Sequence, residues 1–338
     1  MSTMTTSSAA DSSSEATRKH VPGPQTSAGS RTLLLAAFAA VYVIWGSTYL
    51  AIRVGVETVP PLMLAGLRHF TVGVLLYPLL RWKTGVRPTA VHRKTAAVTG
   101  FLLLFVGNGS VSWAEQVVPS GITALLVTMV SLWLVIIDWL RPGGHRPVPK
   151  VLFGLVLGFA GVALLVGPTH LGASERVDLR GVALLVIACF SWAWGSIYSK
   201  HGGMPSSALL GVAMQSFVGG VVLLFAGLVS GEFHRFHFAA VSWRSWVALA
   251  YLVVFGSGIG LSAYLYILQK STAARVATYA LVNPIVALFL GWLVADEVIT
   301  LRTVTAAVII LTAVVLVITA PHRPQERVQE PIPSPGEV

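Results

Sequence analysis

Ten runs of apolar residues, separated by short polar connections, divide this chain. They fall at about 32–53, 62–80, 95–116, 119–140, 151–168, 181–199, 206–230, 246–268, 276–296 and 302–320. A helix that crosses the hydrocarbon core needs roughly 20 apolar residues. In lipid each backbone amide must be bonded inside its own segment, which a helix achieves. Length and low charge, rather than an amphipathic period, mark these runs as helices. The pattern therefore predicts an all-α integral membrane protein with ten transmembrane helices.

Composition sharpens this. Of 338 residues 55% are hydrophobic and 11% charged, with a mean hydropathy of +0.76. A soluble domain carries about 25% charged residues, so polar cover for a globule is lacking. Residues 1–30 are rich in Ser, Thr and Ala, and residues 321–338 hold five prolines and several charges; both read as disordered tails. The first apolar run starts near Leu33 and ends in Trp and Tyr, which suits a retained helix better than a cleaved signal core. The lone cysteine, Cys189, lies in an apolar run and reads as a core residue.

The net charge of +10 would suit a nucleic-acid binder only if Lys and Arg gathered on one face. Here they sit in the connections, so no nucleic-acid partner is expected; the expected partners are membrane lipid and a small-molecule substrate. Their distribution orients the chain. With the N-terminus in the cytoplasm, eleven loop charges fall inside: Arg81, Lys83, Arg87, Arg93, Lys94, Arg141, Arg146, Lys150, Lys200, Lys270 and Arg275. Five fall outside: Arg176, Arg180, Arg235, Arg244 and Arg302. Both termini are therefore expected in the cytoplasm, in keeping with an even number of spans.

The chain also repeats itself. Trp45-Gly46-Ser47-Thr48-Tyr49 matches Trp194-Gly195-Ser196-Ile197-Tyr198 at an offset of 149, and Gln116 with Ala124 matches Gln269 with Ala277 at an offset of 153. Each half, 31–168 and 181–320, then has five spans. Five is odd, so the second half would enter the membrane from the opposite side. Such inverted repeats let a transporter expose one midplane site to either side in turn.

These residues resemble a family. Trp45 to Tyr49 with Arg53, Pro60-Pro61 and Gly66-Leu67-Arg68 is similar to the opening of EamA-type transporters of the drug/metabolite transporter superfamily. So are Ala114-Glu115-Gln116 with Pro119-Ser120-Gly121, and Asn283-Pro284 running on to Asp296-Glu297. The resemblance spans about residues 33–320. It implies two inverted five-helix halves around a central cavity, and export of amino acids, metabolites or drug-like compounds without ATP. Many relatives carry a proline in the fourth span where this chain has Ser131, the repeat mate of Pro284. The resemblance then implies a helix break in the ninth span alone.

Several residues are candidates for the work. A charge inside a span costs about 2.5–3.5 kcal/mol, so it should face a cavity or a partner. Arg68 lies about two turns into its span, too deep for simple snorkelling; it reads as a binding or gating residue, or as half of an ion pair. Trp45, Tyr49 and Arg53 recur every four residues along one face, as a cavity wall or as packing with Arg53 snorkelling. Trp194 and Tyr198 would supply the matching wall. Asn108, Ser112 and Glu115 share a face of the third span, and Glu115 is its one carboxylate. Glu115 could pair with Arg53 or Arg68, bind a substrate amine, carry a proton, or end the helix in solvent. His69 titrates in a useful range or simply packs. Asn283-Pro284 is expected to break the ninth span, since proline removes a helix hydrogen bond. Asp138 with Arg141 reads as a local ion pair, and Asp296 with Glu297 as a solvated helix end. Gly154 with Gly158 and Gly256 with Gly260 allow close helix contact.

No His-Glu-x-x-His helix, phosphate loop or paired aspartates occur, so neither a metal nor another cofactor is expected and a membrane-embedded enzyme is the weaker reading. A secondary transporter, ATP-independent and exporting amino acids or related metabolites, leads; a broad drug or cation efflux carrier is the alternative. A homodimer is left open.

Overall fold

A computed structural model describes residues 28–144, 146–166, 178–271, 276 and 278–320. The expectations for the tails, for Arg176 and Arg275, and for the pairing of Gln116 and Ala124 with Gln269 and Ala277 lie outside the described residues or side chains.

The described residues form helices α1 (Ala28–Gly55), α2 (Pro61–Thr84) and α3 (Ala90–Ala114). They continue as α4 (Ser120–Leu140), α5 (Pro149–Val166), α6 (Leu179–His201) and α7 (Ala208–Val229). The last are α8 (Trp243–Ile267), α9 (Tyr279–Ala295) and α10 (Leu301–Ile318). Nine of these are long and apolar enough to cross a membrane, and α9, at 17 residues, is the shorter one. Among the described residues there is no strand. The chain is a multi-pass membrane protein.

Local chemistry sets the helix ends. Thr89, Ser207, Ser242 and Thr300 each accept an N–H from the first turn of the helix they precede, and Asp178 does so for α6. Pro60 and Pro119, which precede α2 and α4, have no such side chain. Gly85 ends α2 in the left-handed conformation, with Arg81 and Lys83 in the last turn.

Two ends of the bundle can be told apart by contact. At the α1–α2 face, Thr58 Oγ1 donates to Ser245 Oγ at 2.8 Å, and Ser245 Oγ donates to the Val54 carbonyl at 2.9 Å. At the α2–α3 face Thr95 donates to the Gly202 carbonyl, and Lys150 Nζ donates to Thr319 Oγ1 at 2.9 Å. Between the faces, α2 lies against α7 where Gly73 meets Phe217 and Gly220 meets Phe70. The largest apolar core joins α4, α5, α6 and α10 around Leu125, Leu126, Leu132, Leu185 and Ile310.

The fourth and ninth helices depart from expectation. α9 runs unbroken through Pro284. α4 instead breaks at Thr128, three residues before Ser131. There the chain tightens: Thr128 N–H bonds Leu125 O at 3.2 Å, and Ser131 N–H bonds Thr128 O at 3.0 Å. The Thr128 hydroxyl also donates to Leu125 O at 2.6 Å, a back-bond of the type that bends helices. The thiol of buried Cys189 on α6 reaches the Leu126 carbonyl beside this break at 3.5 Å. Two π-helical segments, Gly100–Asn108 in α3 and Leu252–Ile259 in α8, interrupt the regular turns of those helices.

Candidate functional site

Trp45 anchors the site. Its indole N–H donates to the carbonyl of Gly256, in the π-helical segment of α8, at 3.2 Å. Its ring stands 4.9 Å from that of Tyr264 on α8 and 5.3 Å, edge-on, from that of Tyr279 on α9. Such ring geometry adds about 0.5–1.5 kcal/mol per pair beyond area burial. α8 can come this near because positions 256 and 260 are glycine. A Cβ on Gly260 would lie 2.7 Å from the indole nitrogen, and one on Gly256 would lie 3.3 Å from Arg68 Nη2.

Arg68 reaches the same stretch of α8 from α2. Its Nε donates to Ser257 Oγ at 3.1 Å, and among the described residues it makes no salt bridge. One edge of the guanidinium is thus fixed by the protein and the outer N–H groups are not. Two residues further along α1 toward the α1–α2 face, Ser47 Oγ and Tyr251 OH share a hydrogen bond of 2.6 Å.

Arg53 and Glu115 meet at the α1–α2 face, though not as an ion pair. Arg53 Nη1 donates to the backbone carbonyl of Glu115. The Glu115 carboxyl is fully buried, and neither of its oxygens has a hydrogen-bond partner. Its electrostatic neighbours are Glu297, Arg53, Arg68 and, on α1, Tyr49. Glu115 is therefore not a solvated helix end. Burying a polar group without a partner is costly, and such groups concentrate where function requires them.

His69 is buried on α2, with Asn108 of α3 as a polar neighbour and Arg68 nearby. Asn283 on α9, with its amide turned to suit its surroundings, donates to the carbonyls of Tyr279 (3.1 Å) and Tyr42 (3.3 Å). It thereby ties α9 to α1 next to Trp45, and Pro284 packs buried beside it.

Trp194 corrects the expected symmetry of the walls. Its ring is 49% exposed on the outside of the bundle, 6.1 Å from Phe190. The neighbouring Gly195 faces Leu103 of α3, and one step along a helix turns the next side chain by about 100°. Tyr198 lies on α6 a turn further toward the α2–α3 face. Glu297 is a second correction: its carboxylate is not solvated at the end of α9 but bonded to the first turn of α4, at Ser120 and Gly121.

Tyr264, Tyr279, Ser257 and Tyr251 complete the site, and reasoning from sequence missed them. They lie in apolar runs whose period does not say which face meets α1. Among the described residues no group of three or more His, Cys, Asp or Glu is placed to hold a metal ion.

Comparison with known proteins agrees with this architecture. A solved crystal structure superposes with a TM-score of 0.55 at 18% identity, covering 85% of this chain and 96% of its own; this speaks for the fold. The uncharacterized inner membrane transporter YedA of Escherichia coli K12 is 38% identical over 285 residues, 84% of this chain and 90% of its own. The uncharacterized transporter YvbV of Bacillus subtilis is 27% identical, covering 86% of this chain and 92% of its own. A protein named a probable amino-acid metabolite efflux pump of Escherichia coli K12 is 26% identical, covering 80% of this chain and 90% of its own. The profile of one family matches twice, over residues 31–167 and 179–319. With both matches together spanning most of its length, the chain belongs to the EamA-like transporter family.

Proposed function

We propose that this transporter is a secondary carrier of the inner membrane that exports amino acids or related small metabolites by alternating access, without ATP. In this reading ten helices cross the bilayer as two five-helix halves of opposite orientation, with both termini in the cytoplasm. The α1–α2 face is then external. The double family match and the two π-helical segments, one in the third helix of each half, support the repeat. The excess of Lys and Arg in the other set of loops supports the orientation.

One observation carries the substrate class. Arg68 is held by Ser257 on one edge only, beside the Trp45–Tyr264–Tyr279 cluster, while Glu115 lies buried and unpaired. A guanidinium with free N–H groups recognises a carboxylate, an unpaired carboxylate recognises an ammonium, and the rings receive an apolar side chain. A zwitterion satisfies all three. The relative named for amino-acid metabolite efflux points the same way.

The aromatic cluster with Glu115 also suits an organic cation, so a broader cation efflux carrier is the second reading. Chemistry on the substrate is not part of either. Purified protein in proteoliposomes, offered radiolabelled amino acids, nucleosides and a fluorescent cation with and without a pH gradient, separates them. Saturable amino-acid flux that Arg68→Ala abolishes is the expected result. Flux of the cation alone, indifferent to Arg68, would replace the first reading by the second, and a chemically altered product would argue for an enzyme.

A further inference from the structure

Two carboxylates cross between the matched segments at the α1–α2 face. Glu297 follows α9; its Oε1 accepts the Ser120 N–H at 2.6 Å and its Oε2 the Gly121 N–H at 3.0 Å. Glu232 follows α7; its Oε2 accepts the Met63 N–H at 3.0 Å and its Oε1 the Leu62 N–H at 3.4 Å. These are first-turn amides of α4 and α2. Helix N-terminal amides lack intrahelical partners and attract negative charge. α3, α6, α7, α8 and α10 satisfy theirs with the residue just before the helix. α2 and α4 begin after proline and take theirs from the other half of the chain.

The backbone around Glu297 is shaped to deliver it. Asp296 adopts φ 51°, the one positive-φ non-glycine among the described residues, a conformation that Asp enters more readily than most residues. The Glu297 N–H then closes onto the Gly291 carbonyl at 3.1 Å. A Cβ on Gly291 would collide with the Glu297 carboxylate, so the carboxylate occupies the space that glycine leaves. Glu115 and Arg53 are joined just beneath this contact.

We propose that Glu297 is the clasp that holds the carrier shut at the α1–α2 face, with Glu232 as its counterpart on α2. The site opens on that face when the first turn of α4 leaves the Glu297 carboxylate. This rests on the carrier reading, and it names positioning residues that touch no substrate. A clasp differs from a plain cap in one respect. A cap belongs to the helix it stabilises, whereas Glu297 binds two segments that alternating access must separate.

The test uses the whole chain in lipid nanodiscs. Cys189 is the one cysteine, so Cys189→Ala provides a background for single reporters. Ser112→Cys reports on the α1–α2 face: Ser112 is 2% exposed, about one turn below Glu115. Ala96→Cys, 1% exposed near the start of α3, reports on general loosening. Glu297→Gln keeps the shape but loses the charge and one acceptor. It should raise maleimide labelling of the Ser112 reporter about tenfold, in line with charge-assisted hydrogen bonds, and leave the Ala96 reporter unchanged. Adding Pro119→Asp then gives α4 its own cap. The clasp predicts that this second change restores the Tm while labelling stays fast. Restoration of both would show that Glu297 merely caps α4, and equal acceleration at both reporters would show general loosening; either overturns the proposal, as does wild-type labelling in Glu297→Gln. Labelling needs no substrate, so clasp-dependent labelling together with absent flux would count against the carrier reading alone.

Discussion

The indole N–H of Trp45 is bonded to the carbonyl oxygen of Gly256 at 3.2 Å, across helices that lie more than two hundred residues apart in the chain. The acceptor belongs to a π-helical segment, a rare form of turn that recurs at functional sites. The Arg68 contact with Ser257 falls on the next residue of the same segment. One irregular stretch of α8 therefore positions both the aromatic and the cationic part of the candidate site.

That dependence makes Gly260 a sensitive position. A methyl group there would lie 2.7 Å from the Trp45 indole nitrogen, and the ring is pinned by Tyr264 and Tyr279. Gly260→Ala should destabilise the protein by about 1–3 kcal/mol, the usual cost of overpacking, and raise the KM for the transported substrate. Thermal unfolding in detergent and flux in proteoliposomes check this. An unchanged Tm with unchanged KM would mean that Trp45 does not need this approach.

Arg68 should not be replaceable by lysine. Lysine keeps the charge but lacks the planar fork, so it cannot hold Ser257 on one edge while presenting two parallel N–H donors to a carboxylate. Arg68→Lys is expected to lower kcat/KM about 10- to 100-fold, as loss of a charge-assisted bond implies, and Ser257→Ala to cause a smaller loss. Equal activity of the lysine variant would reduce Arg68 to a source of positive potential.

The apolar runs announced the helices, since length and charge are properties of each segment by itself. The Trp45 face was legible too, because spacing by four survives translation into a helix. Identity of motif misled where environment differs: Trp194 sits in nearly the same pentad as Trp45 but turns outward, because Gly195 beside it takes the inward position against Leu103. Pro284 was expected to break its helix and does not, while Thr128 interrupts α4 through a hydroxyl back-bond that composition does not reveal. Glu297 was illegible for a different reason. Its partners lie some 177 positions away, and nothing local distinguishes a carboxylate that caps another helix from one in water.

Glu232 should make stability depend on pH. Burial pushes its carboxyl above the ordinary value of 4.5, against the opposing effect of the Met63 and Leu62 amides and of Arg235. For an acid whose folded value is raised, the folded state binds its proton more tightly. Its contribution is then fully present below the unfolded value and is lost as pH rises through the folded one. The Tm of the wild type, taken relative to Glu232→Gln, should therefore rise as pH is lowered from neutrality toward 4.5. A difference between the two proteins that is flat with pH would mean that Glu232 is not held in a desolvating contact.

Asp296 offers a prediction of opposite signs. Its φ of 51° and ψ of 28° are ordinary for glycine but cost a β-branched residue about 1–2 kcal/mol or more. Asp296→Gly should keep the turn that delivers Glu297 and leave both Tm and the labelling of the α1–α2 face near wild type. Asp296→Val should lower the Tm and accelerate labelling together, because the turn must rearrange and carry the Glu297 carboxylate away from Ser120 and Gly121. Measuring both variants separates backbone shape from side-chain chemistry at this position. If valine is as well tolerated as glycine, the left-handed turn is not what presents Glu297 to α4.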